Sequence, residues 1–207
     1  MRSMSLPDEV HAFWFGPQPA IEPGLLRAKL QRWYSAGPAL DEEIRKRFGA
    51  LVDQALAGEL DSWALTPNGR IALIVLLDQF ARNVFRDSPR AFEGDKKAQQ
   101  LAIEALESVL LYNHEERQFL IMPLLHAENL ALQEMGVHEM EAHVEAAPAE
   151  LQPLYAMGLE QSRKYRDVIA RFGRFPHRNA VLGRPNTPEE DEFLKDWAAK
   201  QPPTGMR

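Results

Sequence analysis

The sequence predicts an all-α fold of antiparallel paired helices. Three observations carry this. Apolar residues recur at three- and four-residue spacing along most of the chain, the helical period. Proline, glycine and capping residues interrupt those runs at short intervals, so the connections are short and neighbouring helices are antiparallel. No stretch alternates apolar and polar residues as a half-buried strand would.

The elements follow in order. Residues 10–15 form a short apolar and aromatic segment that stops at Gly16-Pro17. Pro19 and Pro23 make a loop, and residues 25–34 place Leu26, Leu30 and Trp33 on one helical face. Residues 41–56 repeat Ile44, Phe48, Leu51, Val52 and Ala55, with Gly58 as the stop. Thr66-Pro67 is a cap followed by a proline at the first helical position, and that helix should run to about Asn83. From Ile71 to Leu77 it is apolar on every face, the mark of a central, buried helix.

Asp95 is placed to cap the next helix, which carries Ala98, Leu101, Ala102, Ala105, Leu106 and Val109. Asn113 can cap another, and Pro123 makes residues 117–136 either one kinked helix or two abutting ones. Residues 137–146 form a short helix. Residues 148–172 are the longest periodic segment, closed by Gly173 and kept from resuming by Pro176. Thr187-Pro188-Glu189-Glu190 is a capping box opening a last helix, with Phe193, Leu194 and Trp197 facing inward. No linker divides the chain, so residues 1–207 are expected to form a single domain, flexible over 1–5 and 201–207.

Composition narrows the function. The 207 residues are 45% hydrophobic and 26% charged, enough for an ordinary core. The absence of cysteine excludes disulfides, thiol nucleophiles and thiolate metal sites. The first ten residues carry one arginine and no apolar core, so no secretory signal is expected and the cytoplasm is the default location. The longest apolar run has seven residues, against about 20 for a membrane span. A net charge of −6 disfavours nucleic acid and anionic membrane as partners. No phosphate-binding glycine loop, H-E-x-x-H, G-x-S-x-G or nucleic-acid signature occurs.

Three places can carry chemistry. Asp78 interrupts the apolar helix, with Arg82 one turn on. The pair is either a structural ion pair or a carboxylate that orients a histidine or arginine of a site. His126 and Glu128 lie in Pro123-Leu124-Leu125-His126-Ala127-Glu128. On a helical wheel they diverge by about 200°, so both cannot readily grip one metal. Glu128 either ties its helix to a distant arginine or belongs to the site. Residues 172–179 pack Phe172, Arg174, Phe175, His177, Arg178 and Asn179 into one stretch. The helix end explains the first part, where Arg171 and Arg174 meet a helix C-terminus. It does not explain His177, Arg178 and Asn179, in a proline-fixed loop of the kind that carries binding groups.

Phe80-Ala81-Arg82-Asn83 echoes Phe175 to Asn179, and Ser88-Pro89 echoes Thr187-Pro188. If the two segments meet, Arg82, Arg86, Arg90, Arg171, Arg174, Arg178 and Arg184 make a basic pocket for carboxylate or phosphate. His114, His138 and His143 read as solvated faces.

The strings LDQFARNVFR at 77–86, PLLHAE at 123–128 and FGRFPHRNAVLGR at 172–184 resemble a bacterial family known as domain of unknown function 924. The likeness covers nearly the whole chain. It implies a tetratricopeptide-like helical fold and no established activity. It singles out Asp78, Gln79, Arg82, Asn83, His126, Glu128, Arg174, His177, Arg178 and Asn179. Ala81 stands where the family usually has proline, Ala127 where it has serine, and Tyr165 where it has histidine.

The functional expectation is a polar site on a helical scaffold. His126, Glu128, His177 and Asp78 are the acid–base candidates. Arg82, Asn83, Arg174, Arg178 and Asn179 are the groups for a small anionic ligand, with hydrolase-type chemistry as one use. No cofactor is indicated and no metal set is assigned; a metal variant would use His126, His177 and a carboxylate. The alternatives are an acidic peptide held in a groove, or a polar network that serves only to pin helices.

Overall fold

Capping chemistry fixes most of the helix boundaries. The computed structural model describes residues 5–35 and 37–200, with side chains to residue 197. Apart from Ser5, the expected flexible ends lie outside the described residues. Ser5 caps α1 (Leu6–Phe15), which Gly16 ends at φ 78°. Helix α2 (Pro23–Ser35) and α3 (Pro38–Leu56) both start earlier than their apolar spacing predicts, because each opens on a proline that is already set for the first turn. Thr66 caps α4 (Pro67–Ile74) by accepting from the Gly69 amide at 3.1 Å.

The expected helix over 66–83 exists, but it is not regular. Residues Val75–Phe80 form a π-helical turn, in which the Ala81 amide reaches back five residues to the Leu76 carbonyl. Helix α5 (Ala81–Val84) completes it. Such turns are rare and concentrate at functional sites.

Asp95 does not cap the next helix. Gly94 holds that position and Asp95 is the first residue of α6 (Asp95–Leu106), its carboxylate directed to another helix. Asn113 and Glu116 form a reciprocal capping box for α7 (His114–Leu125). Pro123 sits inside α7 and does not break it. The break comes at residues 126–129, after which Asn129 caps α8 (Leu130–Ala146). The short helix expected at 137–146 is thus the second half of α8. Helix α9 (Gln152–Phe172) starts later than expected and ends on Gly173, at φ 68° in the left-handed region. Thr187 and Glu190 form the expected capping box of α10 (Pro188–Lys200).

All the regular structure among the described residues is helical, and none of the helices is long and apolar enough to cross a membrane. The segment Ile71 to Leu77 is fully enclosed, as its all-round hydrophobicity requires. Helix α4 and the π turn touch α1, α3, α6 and α7. Trp14, Phe15, Trp33, Phe48, Phe80 and Phe119 pack around them with tilted or edge-on rings.

Two of the three histidines expected on solvated faces differ from expectation: His114 is half-buried, with its Nδ1 enclosed and without a hydrogen bond. His138 is exposed, but His143 is only 4% exposed, its ring 4.5 Å from Tyr155 and 5.5 Å from His114. Helix α8 packs against α7 on one side and α9 on the other, so its last turn is covered.

Candidate functional site

The π turn carries Asp78 into the interior, where it is inaccessible to solvent. A buried carboxylate needs partners, and it has three. Oδ1 accepts from Nδ1 of His126 at 2.7 Å and lies 3.1 Å from Nη1 of Arg82. Oδ2 accepts from the Gln79 amide at 2.5 Å. Arg82 also donates to the Asp78 carbonyl at 2.8 Å and grips Asp95 with two bonds of 2.9 and 3.0 Å. Burial opposes the charge on Asp78, but the imidazole and guanidinium beside it hold the carboxyl well below the usual range.

His126 owes its position to the end of α7: it is the C-cap, where the chain turns away from the helix. The wheel reading of His126 and Glu128 therefore does not apply, since neither is inside a helix. Burial lowers the pKa of His126, against the opposing pull of Asp78, which favours the neutral ring. Because the ionised Asp78 can only accept, the proton sits on Nδ1 and Nε2 presents a lone pair. Nε2 has no hydrogen bond among the described residues, and the side chain keeps 11% of its surface exposed.

Arg178 approaches from the far end of the chain. Gly173 turns α9 off, and Pro176–Arg178 forms one 3-10 turn. The Arg178 guanidinium lies between Phe92 and Phe175, 4.8 and 4.6 Å from their ring centres. It is only 7% exposed, its Nε is buried without a hydrogen bond, and its nearest carboxylate is Asp95 at 3.7 Å. Burial, with Arg82 nearby, brings its pKa down to about 10. His177 stacks parallel on Trp197 with ring centres 5.5 Å apart. Its Nδ1 is buried without a partner, and burial lowers its pKa to about 4. Tyr165 joins these groups: its ring is 5.7 Å from Phe175, and burial raises its pKa to about 12 although Arg178 and Arg82 favour the phenolate.

The other candidates lie in different networks. Glu128 takes two bonds from Arg184, at 2.6 and 2.8 Å, and one from the Phe175 amide at 2.8 Å. Arg174 grips Glu190 with two bonds of 2.7 Å. Asn179 links Arg184, Asn186 and Glu190. Together these hold the loop after α9 to the α7–α8 connection and to the start of α10. Asn83 donates to Asp41 of α3 at 2.7 Å, beside two bonds from Arg86.

The basic pocket of seven arginines does not form. Arg82, Arg86, Arg90, Arg171, Arg174 and Arg184 each have a carboxylate within hydrogen-bond range. Arg178 is the exception. The two echo segments do meet, but through one group: Asp95 faces both Arg82 and Arg178. Asp95, Phe92 and Tyr165 were not among the candidates. Asp95 reads from the sequence as a cap, and nothing local distinguishes Phe92 from a core residue. Among the described residues no three His, Asp or Glu are arranged to hold a metal ion.

Residues 10–197 match the model of a family described as bacterial protein of unknown function, DUF924. The solved structure of a protein of unknown function from Agrobacterium tumefaciens is similar to this chain. The two are 31% identical, the match covers 92% of this chain and 97% of that one, and the TM-score is 0.75. No curated protein matches.

Proposed function

The chain belongs to that bacterial family, and from this premise we propose that its helical scaffold carries a site for a small anionic ligand beside His126. The ligand is held by Arg178, and Nε2 of His126 is the proton acceptor that faces it. The observation that carries this reading is the state of Arg178, a buried guanidinium whose Nε has no hydrogen bond and whose nearest carboxylate is 3.7 Å away. Burying a cation without a close partner is costly, and an anion that supplies the missing acceptors removes the cost. Asp78 fixes the His126 tautomer as a carboxylate does in an acid–base dyad, which suits proton abstraction from a bound hydroxyl or water.

Arg82 then acts as a positioning residue, since Asp78 and Asp95 occupy it. Glu128, Arg174 and Asn179 hold the loop that bears Arg178. The scaffold in this reading is tetratricopeptide-like, built of the neighbouring pairs α7–α8 and α8–α9. The burial of Asp78 and Arg178 favours a small molecule over an acidic peptide, which would need exposed cations along a groove.

The test is thermal. Phosphate or succinate should raise the melting temperature of the wild-type protein and leave Arg178→Gln unmoved, with circular dichroism confirming that the variant is folded. No shift in the wild type, or the same shift in the variant, would overturn the assignment.

A further inference from the structure

An arginine offers hydrogen bonds along its edges, and the side edge, Nε with Nη2, matches the two oxygens of one anionic group. This protein fills that edge twice with its own carboxylates. Arg86 donates from Nε and Nη2 to the two oxygens of Asp41, both at 2.6 Å, and Arg174 does the same to Glu190, both at 2.7 Å. Arg178 is different. Its Nη1 is the nitrogen turned to Asp95, at 3.7 Å, and its Nε is enclosed without a hydrogen bond. No described residue accepts from the side edge of this guanidinium, although the side chain is only 9% exposed. The guanidinium carbon stands over the faces of Phe92 and Phe175, 4.8 and 4.6 Å from their centres, so its edges are what it has left to offer.

Two constraints select among anions. The first is shape. A carboxylate is flat and spends both oxygens on the edge. Phosphate and sulfate carry further oxygens out of that plane, where the negative faces of the two rings oppose them. The second is charge. Arg178, Asp95, Arg82 and Asp78 are joined by contacts of 3.7, 2.9 and 3.1 Å, two cations and two carboxylates that sum to zero. A buried site tolerates one added charge better than two, and sulfate brings two while phosphate brings more than one near pH 7. We infer that the ligand of this site is a monocarboxylate, received side-on by Nε and Nη2 of Arg178. This inference rests on the anionic site proposed above and adds to it the class of anion and the way it is held.

The experiment titrates the full chain with acetate, hydrogen phosphate and sulfate at one pH and ionic strength, followed by NMR chemical shifts. Acetate should bind at least about 10-fold tighter than either tetrahedral anion, the worth of one well-made hydrogen bond. In the wild type the Nε–H proton of Arg178 should shift as acetate saturates. Arg178→Lys keeps the charge but lacks the side edge, so it should bind acetate at least about 10-fold more weakly. Arg178→Gln should bind none of the three, with circular dichroism confirming that both variants are folded. If phosphate or sulfate binds the wild type as tightly as acetate, if the Nε–H proton stays unmoved at saturation, or if Arg178→Lys keeps the wild-type affinity, this inference fails while the anionic site stands. If no probe binds the wild type, or if Arg178→Gln binds them as the wild type does, the anionic site itself fails.

Discussion

Nδ1 of His126 donates to Oδ1 of Asp78 at 2.7 Å, joining the end of α7 to the π turn that follows α4. The same carboxylate is paired with Arg82. Asp78→Ala therefore strips His126, Arg82 and Gln79 of a shared acceptor at once, leaving Arg82 with Asp95 and the backbone carbonyl of residue 78. The variant should lose about 3–5 kcal/mol of stability, the usual cost of breaking a buried pair by removing one member. Urea denaturation monitored by circular dichroism measures it. A loss under about 1 kcal/mol would show that the dyad contributes nothing to holding these helices.

Arg178 should behave in the opposite way. Having no close carboxylate, it contributes mainly its contacts with Phe92 and Phe175. Arg178→Met is expected to cost no more than about 2 kcal/mol, whereas Arg82→Met should cost about 3–5 kcal/mol. Parallel denaturation curves decide the matter. Equal losses would place Arg178 among the structural ion pairs.

Mild acid should destabilise the protein. His143 is held near pKa 3 and His177 near 4, chiefly by burial, against 6.5 for an unperturbed histidine. Both folded values are depressed, so below about pH 6.5 the unfolded chain takes up protons that the folded chain refuses. Stability is then complete above pH 6.5 and falls as the pH drops toward the folded values. The slope approaches about 1.4 kcal/mol per pH unit for each group. His143→Phe, which keeps a ring beside Tyr155, should flatten the dependence of the urea midpoint between pH 6.5 and 5.

Glu128 should control the loop rather than the chemistry. It accepts from Arg184 and from the Phe175 amide, and about a quarter of its side chain is exposed. Glu128→Gln weakens charge-assisted bonds, for a loss of about 2 kcal/mol. Hydrogen exchange at the Phe175 amide should quicken at least about 10-fold. Unchanged exchange there would remove Glu128 from the network that positions Arg178.

Gly94 sets how closely α6 approaches the π turn. A Cβ at this position would lie 2.5 Å from the Leu77 carbonyl oxygen, a backbone atom that cannot swing aside. Gly94→Ala should push the start of α6 outward and draw Asp95 away from Arg82 and Arg178, costing about 1–3 kcal/mol as overpacking does. A variant as stable as the wild type would mean that the two segments can separate freely.

How far the sequence reads depends on how local each interaction is. Thr66, Asn113, Gly173 and the Thr187–Glu190 pair act on backbone within a turn or so of themselves, so their roles follow from spacing alone. The all-α class follows likewise from periodicity, and the enclosure of Ile71 to Leu77 from a run with no polar face. The pairing of Asp78 with Arg82 is a one-turn relation and is equally plain.

The rest is decided by packing. The helix through Asp78 widens into a π turn, which no cap or proline in the sequence announces. Asp95 has the look of a cap, yet two arginines brought by other elements claim its carboxylate. His143 has polar neighbours in sequence but is covered on both sides by helices. Seven arginines look alike in the sequence, and only the folded chain gives six of them a carboxylate in reach. A carboxylate and an arginine far apart in sequence pair according to where their helices dock. The sequence determined most of the helices and their ends by itself, whereas a buried arginine whose nearest carboxylate lies 3.7 Å away exists only once those helices are packed.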